Sequence, residues 1–179
     1  MNKKQKIYTG IGDDGNTVLF NGVKVSKADE RVCLYGEMDE LNCWLGLIKS
    51  LLHAKEKNIY NEIQLIQKNI FKISSLMACS EQGRSLKMLM DSDVYLLQTS
   101  IDNIDSKLPT LKEFIIPGQS TLEAYVNIAR SVCRRVERKT VCFYQKNLQE
   151  LANNGPILIY LNRLSDYLFV LGRFFTQIY

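Results

Sequence analysis

Apolar residues recur along most of the chain at alternating steps of four and three positions, the spacing of a helix that packs in a bundle. The first such run consists of Leu34, Met38, Leu41, Leu45, Ile48 and Leu52. Equivalent runs return at 59–77, 94–104, 122–136 and 157–175. The pattern predicts five amphipathic helices with short connections, and therefore an all-α five-helix bundle.

The region before the first helix has a different pattern. Residues 7–27 contain four glycines among threonine, aspartate and asparagine, with a short β-type stretch at 17–20. Glycine at this density is incompatible with a helix and predicts a turn-rich loop or hairpin. We expect a single domain over 1–179, with an N-terminal segment at 1–28 and a helical bundle at 29–179.

Two of the helices have recognisable start signals. Ser120 is the predicted N-cap of the fourth helix, and Glu123 completes a capping box with it. Pro156 lies near the first turn of the fifth helix, where proline is tolerated. The polar stretch 81–86 is predicted to be a loop.

Composition narrows the class of protein. The chain is 46% hydrophobic and 23% charged, which is typical of a globular protein. The cysteines are odd in number, form no C-x-x-C pair and lie within apolar helical patterns, so we expect reduced core residues and a cytoplasmic protein. They are Cys33, Cys43, Cys79, Cys133 and Cys142. No leader segment and no membrane span is predicted.

Charge and histidine content disfavour several functions. The net charge of +4 permits an anionic ligand without requiring one. His53 is the only histidine, which weakens hydrolase and histidine-metal interpretations. Cations cluster at 130–139, but without interleaved aromatics or a higher overall charge we expect no nucleic-acid binding.

Polar rows run beside the apolar seams of three predicted helices. They are Tyr35, Asp39, Asn42 and Gly46 on the first, Asn127, Arg130, Arg134 and Glu137 on the fourth, and Asn162, Asp166, Phe169 and Arg173 on the fifth. One interpretation is the solvated flank of a bundle. The other is a binding face, because these rows are rich in Asn, Asp and Arg, and the arginine fork suits phosphate.

The glycine-rich stretch 9–17 also has two interpretations. Glycines allow successive backbone N–H groups to point at one anion, so the stretch could form a phosphate cradle. Taken by itself, the pattern favours an ordinary hairpin turn over a phosphate cradle. It has neither the P-loop pattern nor the strand-to-helix setting of a dinucleotide-binding fingerprint.

Three segments together resemble the PduO-type ATP:cob(I)alamin adenosyltransferase family. The first is Ile7-Tyr8-Thr9-Gly10-Ile11-Gly12-Asp13-Asp14-Gly15-Asn16-Thr17, and the second runs from Val25-Ser26-Lys27 through Asp39-Glu40-Leu41-Asn42. The third runs from Phe114 through Arg138 and is followed by Tyr160-Leu161-Asn162-Arg163-Leu164-Ser165-Asp166. The likeness spans nearly the whole chain in the family's order.

The resemblance implies a ferritin-like, cobalamin adenosyltransferase-like bundle that assembles as a homotrimer and binds ATP, with Mg²⁺, between neighbouring subunits. The implied ATP-binding residues are Thr9, Gly10, Ile11, Gly12, Asp14, Gly15, Thr17, Lys27, Arg134, Arg135, Glu137, Arg138 and Asn162. The implied corrinoid-binding residues are Asp39, Phe114, Arg130, Asp166 and Phe169. Asp39, Arg130, Arg134 and Phe114 are the implied catalytic residues.

Two of these assignments imply particular contacts. Asp39 and Arg130 match a salt bridge near the corrinoid. The alternative is a purely structural tie between helices or subunits, and the two roles are not exclusive. Phe114 matches the aromatic residue that lies beneath the corrin ring and keeps a lower axial ligand off cobalt. The chain departs from the family pattern at Gln119, where a glycine is usual, and at Asn127, where a histidine is frequent.

The implied activity is transfer of the adenosyl group of ATP to the cobalt of cob(I)alamin. A cob(II)alamin reductase and an adenosylcobalamin-dependent enzyme are possible partners. Two alternatives remain at this stage. One is a non-catalytic corrinoid carrier or ATP-sensing partner, and the other is a helical interaction module that binds no nucleotide.

Overall fold

The apolar seams form five helices in the structure, a computed structural model that describes residues 7–8, 10–79, 89–148 and 156–178. The elements are β1 (Asn16–Val18), β2 (Lys24–Ser26), α1 (Glu30–Ser50), α2 (Lys57–Met77), α3 (Asp91–Asp105), α4 (Thr121–Lys146) and α5 (Pro156–Ile178). The predicted five-helix bundle with a small N-terminal β element is confirmed. The predicted loop 81–86 lies outside the described residues, and the division at 28/29 stays a prediction.

The two short strands form an antiparallel hairpin that rests on the bundle. Asn16 pairs with Ser26 and Val18 with Lys24, so the strand begins one residue earlier than the predicted β stretch. The side chain of Leu19 is buried, and the Phe20 N–H donates to the Ala78 carbonyl at 3.2 Å. The hairpin is therefore anchored at the C-terminal end of α2.

The helices pack in the spatial order α2, α1, α4, α5, α3. The α1 seam is fully buried at Met38, Leu41, Leu45 and Ile48. Each such side chain contributes about 1.5–3 kcal/mol relative to an exposed one. This burial fixes which face of α1 turns inward, and hence which face carries the polar row. The last seam position, Leu52, follows the helix and is half-buried.

Buried polar side chains connect α2 to α3 and α5. The Asn69 Nδ2 donates to Tyr160 Oη and to Asp93 Oδ1, both at 3.2 Å. The Tyr167 hydroxyl donates to Glu62 Oε2 at 3.0 Å. Burial raises the pKa of Tyr167 far above its ordinary value, so its hydroxyl remains a donor. These bonds specify how the helices are arranged around the core.

The predicted helix starts are confirmed, with one difference in the capping box. The Ser120 Oγ accepts from the Glu123 N–H at 3.3 Å, as an N-cap does. The Glu123 carboxylate bonds to the backbone of Gly118 and Gln119, the residues just before the cap. Pro156 is the first residue of α5, a position where its missing N–H has no consequence.

The prediction that the cysteines are core residues is wrong for three of the five. Cys33, Cys43 and Cys142 are exposed, whereas Cys133 is buried and Cys79 half-buried. The reason is geometric: Cys33 precedes the seam residue Leu34, and one residue along a helix rotates a side chain by about 100°. Within the described ranges, no helix is long and apolar enough to cross a membrane.

Candidate functional site

The glycine-rich stretch forms consecutive turns before β1. The Asp13 N–H donates to the Gly10 carbonyl at 3.2 Å, and the Gly15 N–H to the Gly12 carbonyl at 3.3 Å. Gly10 and Gly15 have φ angles of 74° and 79°, a conformation that residues with a Cβ rarely adopt. Glycine is therefore required here by the backbone. Thr9, predicted to bind ATP, lies outside the described residues.

The side chain of Lys27 lies over this stretch. A Cβ placed on Gly12 would be only 3.2 Å from Lys27 Nζ and 3.3 Å from the Asn16 carbonyl oxygen. The Lys27 N–H donates to the Gly15 carbonyl at 2.9 Å, which fixes the residue beside the turns. The structure thus brings together three of the predicted ATP-binding residues, Gly12, Gly15 and Lys27, and it places a cation next to the glycine-rich turns.

Asp14 has a local role in the same stretch. Its carboxylate accepts from Lys24 Nζ at 2.9 Å and from the Asn16 N–H at 3.0 Å. The Lys24 bond is the main cause that lowers the pKa of Asp14 to about 2. Asp14 is therefore ionised at neutral pH and shapes the turn. Thr17 is half-buried within β1 and Ile11 is exposed.

Side chains from α4 and α5 form a second polar group. The Asn162 Nδ2 on α5 donates to Glu137 Oε1 on α4 at 3.0 Å. Arg134 and Arg138 are exposed on α4. Arg134 lies about one turn before Glu137, and Arg138 follows Glu137 directly. The α4 and α5 polar rows therefore meet along the contact between the two helices, as the binding-face interpretation requires. The Glu137–Asn162 bond is compatible with both interpretations of these rows, and the binding face stays a prediction.

A buried thiol lies beneath this group. Burial, followed by the negative charge of Glu137, raises the pKa of Cys133 far above its ordinary value, and the charges of Arg134 and Asp166 also act on it. Its Sγ donates to the Leu161 carbonyl at 3.5 Å. The thiol remains protonated and is no nucleophile. The charges of Arg134, Glu137 and Asp166 all act on the Cys133 thiol. These three side chains therefore lie near the same part of the α4–α5 contact.

Asp166 and Phe169 continue the α5 row. Arg163 Nη1 donates to Asp166 Oδ2 at 2.5 Å within the same helix. Phe169 is half-buried against the core. Among the described residues, no hydrogen bond, ion pair or ring contact joins either residue to Phe114, and their predicted corrinoid role stays a prediction.

Arg135 is turned toward α1. Its guanidinium pairs with Glu37 at 2.5 Å and also with Glu40, and Lys139 Nζ pairs with Glu37 at 2.5 Å. Within one chain, this predicted ATP-binding arginine therefore holds α4 to α1. This pairing was not predictable from the sequence, because Glu37 and Glu40 lie outside the polar row that the spacing indicated.

Replacing Glu37 by glutamine is expected to weaken the acid sensitivity of the fold. Partial burial opposes its ionisation, but bonds from Lys139 and Arg135 outweigh burial and lower its pKa. The ionised carboxylate then stabilises the fold above the unfolded pKa of about 4.3, and this contribution is lost as pH falls through the lower folded value. Urea unfolding at pH 7 and at pH 3 measures the difference. The exposed Glu113→Gln is the matched control, and equal acid sensitivity of wild type and Glu37→Gln would contradict the assignment.

Asp39 and Arg130 are apart within one chain. Asp39 is exposed on α1. Arg130 is half-buried on α4, and its Nε donates to Asn127 Oδ1 at 3.2 Å. No ion pair joins them in the part of the chain that the structure describes. Likewise, no described hydrogen bond joins the glycine-rich stretch to Arg134 or Asn162 of the same chain.

The α1 polar row borders a cavity of about 320 Å³ against α2. Its lining includes Tyr35, Asp39 and Asn42 from α1 and Ile70, Phe71 and Ser74 from α2. Asn42 is only 6% exposed, and its Oδ1 has no hydrogen-bond partner among the described residues. The side chain that the sequence placed on a polar row is thus a buried acceptor at the base of this cavity.

Phe114 is fully exposed in the segment between α3 and α4. Together with its neighbours from Pro109 to Ile116, it borders a groove of about 380 Å³. The Arg173 guanidinium holds the start of this segment by donating to Asp105 Oδ1 at 2.9 Å and to the Pro109 carbonyl. A large apolar side chain is therefore presented to solvent from a segment whose start is tethered.

Comparison with known proteins agrees with the resemblance. The family model described as cobalamin adenosyltransferase matches residues 7–175. The chain belongs to this family. A corrinoid adenosyltransferase of Bacillus subtilis (strain 168) is 36% identical over 170 residues, which cover 94% of this chain and 85% of that protein. A corrinoid adenosyltransferase of Citrobacter freundii is 33% identical over 171 residues, with 94% and 93% coverage.

Solved structures of cobalamin adenosyltransferases also match. A variant of the PduO-type ATP:corrinoid adenosyltransferase from Lactobacillus reuteri, complexed with cobalamin and ATP, superposes with a TM-score of 0.85 at 34% identity. The match covers 97% of this chain and 92% of that one. The PduO-type resemblance and the fold that it implies are therefore confirmed.

Proposed function

We propose that this protein transfers the 5′-deoxyadenosyl group of ATP to the cobalt of cob(I)alamin, giving adenosylcobalamin and triphosphate. The observation that carries the proposal is the likeness, over 97% of the chain, to a protein that is complexed with both cobalamin and ATP. The residues that would hold a nucleotide are present in this chain, in two polar groups.

The first task of the site is to bind the triphosphate. The Gly10–Gly15 turns lie at the surface, where glycine allows backbone N–H groups to turn toward an anion, and Lys27 Nζ lies beside Gly12. Arg134 adds a guanidinium that can make two parallel bonds to phosphate oxygens. Glu137 holds the Asn162 amide, so the Asn162 carbonyl oxygen is the acceptor presented to a ribose hydroxyl or to the adenine amino group.

A Mg²⁺ ion would be held here together with the nucleotide. Mg²⁺ is usually bound through phosphates and one or two carboxylates, and Glu137 supplies a carboxylate in this group. Bound there, the ion would neutralise charge on the triphosphate. No cluster of three or more His, Cys, Asp or Glu side chains suited to a metal occurs among the described residues.

The chemical step needs position and charge stabilisation. The cobalt(I) electron pair attacks C5′, the cobalt–carbon bond forms as the C5′–O bond breaks, and triphosphate leaves with the electron pair of that bond. No proton is removed from the nucleophile, so no general base is required. Holding cobalt and carbon in line contributes through positioning, and Lys27 and Arg134 stabilise the departing anion.

The active assembly is a homotrimer with ATP between subunits. Ile7, Tyr8 and Ile11 of the N-terminal segment are large apolar residues that are 67–98% exposed in one chain, which favours their burial against a neighbour. Asp39 and Arg130 then form their salt bridge across the subunit contact. The protein works in the cytoplasm, receives cobalt reduced by a cob(II)alamin reductase and passes its product to an adenosylcobalamin-dependent enzyme.

An adenosylation assay tests the function. Protein is mixed with MgATP and chemically reduced cobalamin without oxygen and in the dark, and the light-sensitive cobalt–carbon product is followed by absorbance. We expect stoichiometric triphosphate release. Binding of both substrates without product under strong reduction would overturn the proposal and favour a carrier.

Nucleotide binding is expected to stabilise the fold. At a MgATP concentration 100 times its Kd, binding to the native state contributes about 2.7 kcal/mol. For a chain of this size, that raises Tm by about 5–10 °C. The rise in Tm with MgATP is measured for wild type and for Lys27→Ala. Lys68→Ala is the control, because it removes one positive charge at an exposed residue of α2. Equal shifts in all three proteins would contradict the role of Lys27.

A further inference from the structure

A buried carboxylate connects α4 to the segment at 106–120 between α3 and α4, here called the Phe114 segment. Glu123 is 0% exposed. Its Oε2 accepts from the Gly118 N–H at 2.7 Å and the Gln119 N–H at 3.0 Å, and its Oε1 accepts from Asn127 Nδ2 at 2.5 Å. The carboxylate is therefore fixed by three donors, two of which belong to the end of that segment.

The Asn127 amide extends this connection to Arg130. Its Oδ1 accepts from Arg130 Nε at 3.2 Å while its Nδ2 faces Glu123. The amide can point only this way, because both Glu123 oxygens act as acceptors here and a guanidinium only donates. Gly172 on α5 leaves the room it needs, since a Cβ there would lie 3.3 Å from Asn127 Nδ2.

Helix capping does not account for this arrangement. An N3 glutamate normally reaches the N-cap backbone at the protein surface. Glu123 instead loses all contact with solvent, and a buried carboxylate is costly unless it is fully hydrogen-bonded. The Glu123 carboxylate bonds to the segment before the N-cap and to the Asn127 amide. The amide in turn bonds to Arg130, one turn beyond Asn127 on α4.

We propose that Glu123 and Asn127 are positioning residues, which set the end of the Phe114 segment and the Arg130 guanidinium in one fixed relation. This inference rests on the proposed function and on the corrinoid contacts that the family resemblance implies for Phe114 and Arg130. Neither positioning residue needs to touch a substrate. Their effect should appear in the use of the corrinoid and not in the binding of ATP.

Three variants test the proposal. Asn127→Leu removes both bonds at similar volume, whereas Asn127→His keeps one donor and one acceptor on opposite sides of a neutral ring. Glu123→Gln can still accept from Gly118 and Gln119, but its amide nitrogen faces that of Asn127 and forces the Asn127 amide to turn away from Arg130. Ser131→Ala is the control, because the exposed Ser131 hydroxyl bonds only the Asn127 carbonyl.

The expected result is a selective loss. Asn127→Leu and Glu123→Gln lower kcat/KM for cobalamin about tenfold or more, the size of a lost bond to a charged group, with KM for ATP unchanged. Asn127→His recovers most of the loss, and Ser131→Ala behaves like wild type. Electron paramagnetic resonance of bound cob(II)alamin with ATP should show a larger fraction with a nitrogen ligand on cobalt in the two defective variants.

Other outcomes would overturn the inference. Equal losses toward ATP and cobalamin indicate a general structural role, and Asn127→His no better than Asn127→Leu excludes the hydrogen-bond relay. Thermal midpoints show whether a variant fails to fold. If Asn127→Leu does, the kinetics of Glu123→Gln are the test of the proposal. If wild type makes no product, the proposed function fails by itself. The cobalamin Kd and the resonance spectrum of the variants then still test the relay, and values equal to wild type overturn it.

Discussion

Replacing Arg134 by alanine is expected to lower turnover about 10²–10³-fold, the usual effect of removing one donor that stabilises a developing anion. Arg134 is exposed on α4 beside the Glu137–Asn162 bond and is one of the positive charges acting on Cys133. It makes no ion pair within the described residues, so its guanidinium is available to the triphosphate. The loss should be greater in kcat than in ATP affinity, because charge on the leaving group increases in the transition state.

Single-turnover adenosylation with saturating MgATP and reduced cobalamin measures the Arg134 effect. Arg134→Lys is expected to recover only part of the rate, since an ammonium group lacks the planar fork. Lys146→Ala is the control, because it removes a positive charge from the same helix at a residue paired with Glu30. A change in ATP Kd with no change in the bound-state rate would refute the transition-state role.

Replacing Phe114 by alanine is expected to slow turnover about 10²-fold while leaving ATP affinity nearly unchanged. The residue is fully exposed in the free chain, so its removal should change the free energy of unfolding by less than about 0.5 kcal/mol. Its proposed contact is with the corrin ring alone. A misplacement of about 1 Å at the reacting centre can cost about this factor in rate.

Comparison with Ile116→Ala isolates the Phe114 effect, since Ile116 is an exposed apolar residue of the same segment. Rates at saturating ATP and the ATP Kd are measured for both variants. The assignment is wrong if Phe114→Ala weakens ATP binding as much as it slows turnover, or if Ile116→Ala shows the same loss in rate.

The fold could be predicted from sequence because one physical effect dominates it. Burial of apolar side chains imposes the helical period, so the seam from Leu34 to Ile48 gave α1 directly. Ser120 gave the start of α4 because an N-cap depends on neighbouring residues only. The cysteines show the limit of this reasoning, since Cys33 lies within an apolar stretch and still faces solvent.

The site was predictable in composition but not in its contacts. Row spacing placed Glu137 and Asn162 on α4 and α5, and the structure joins them. Row spacing could not predict that Arg135 pairs with Glu37 and Glu40, because the rotation of α4 about its axis relative to α1 is set by packing. Nor did the sequence indicate that the carboxylate of Glu123 is buried. A capping-box pattern together with glycine at 118 is the only local signal for that bond.

Helix α4 contacts α1 and α5 through different kinds of interaction. Toward α1, exposed or half-exposed charges at Glu37, Arg135 and Lys139 hold the helix, and dissolved ions weaken such attractions. Toward α5, the contact is mainly apolar around Val126 and Cys133, and sulfate strengthens it. A rise in sodium chloride concentration therefore weakens the ion pairs on the α1 side of α4, whereas the contacts of Val126 and Cys133 on the α5 side contain no ion pair to screen.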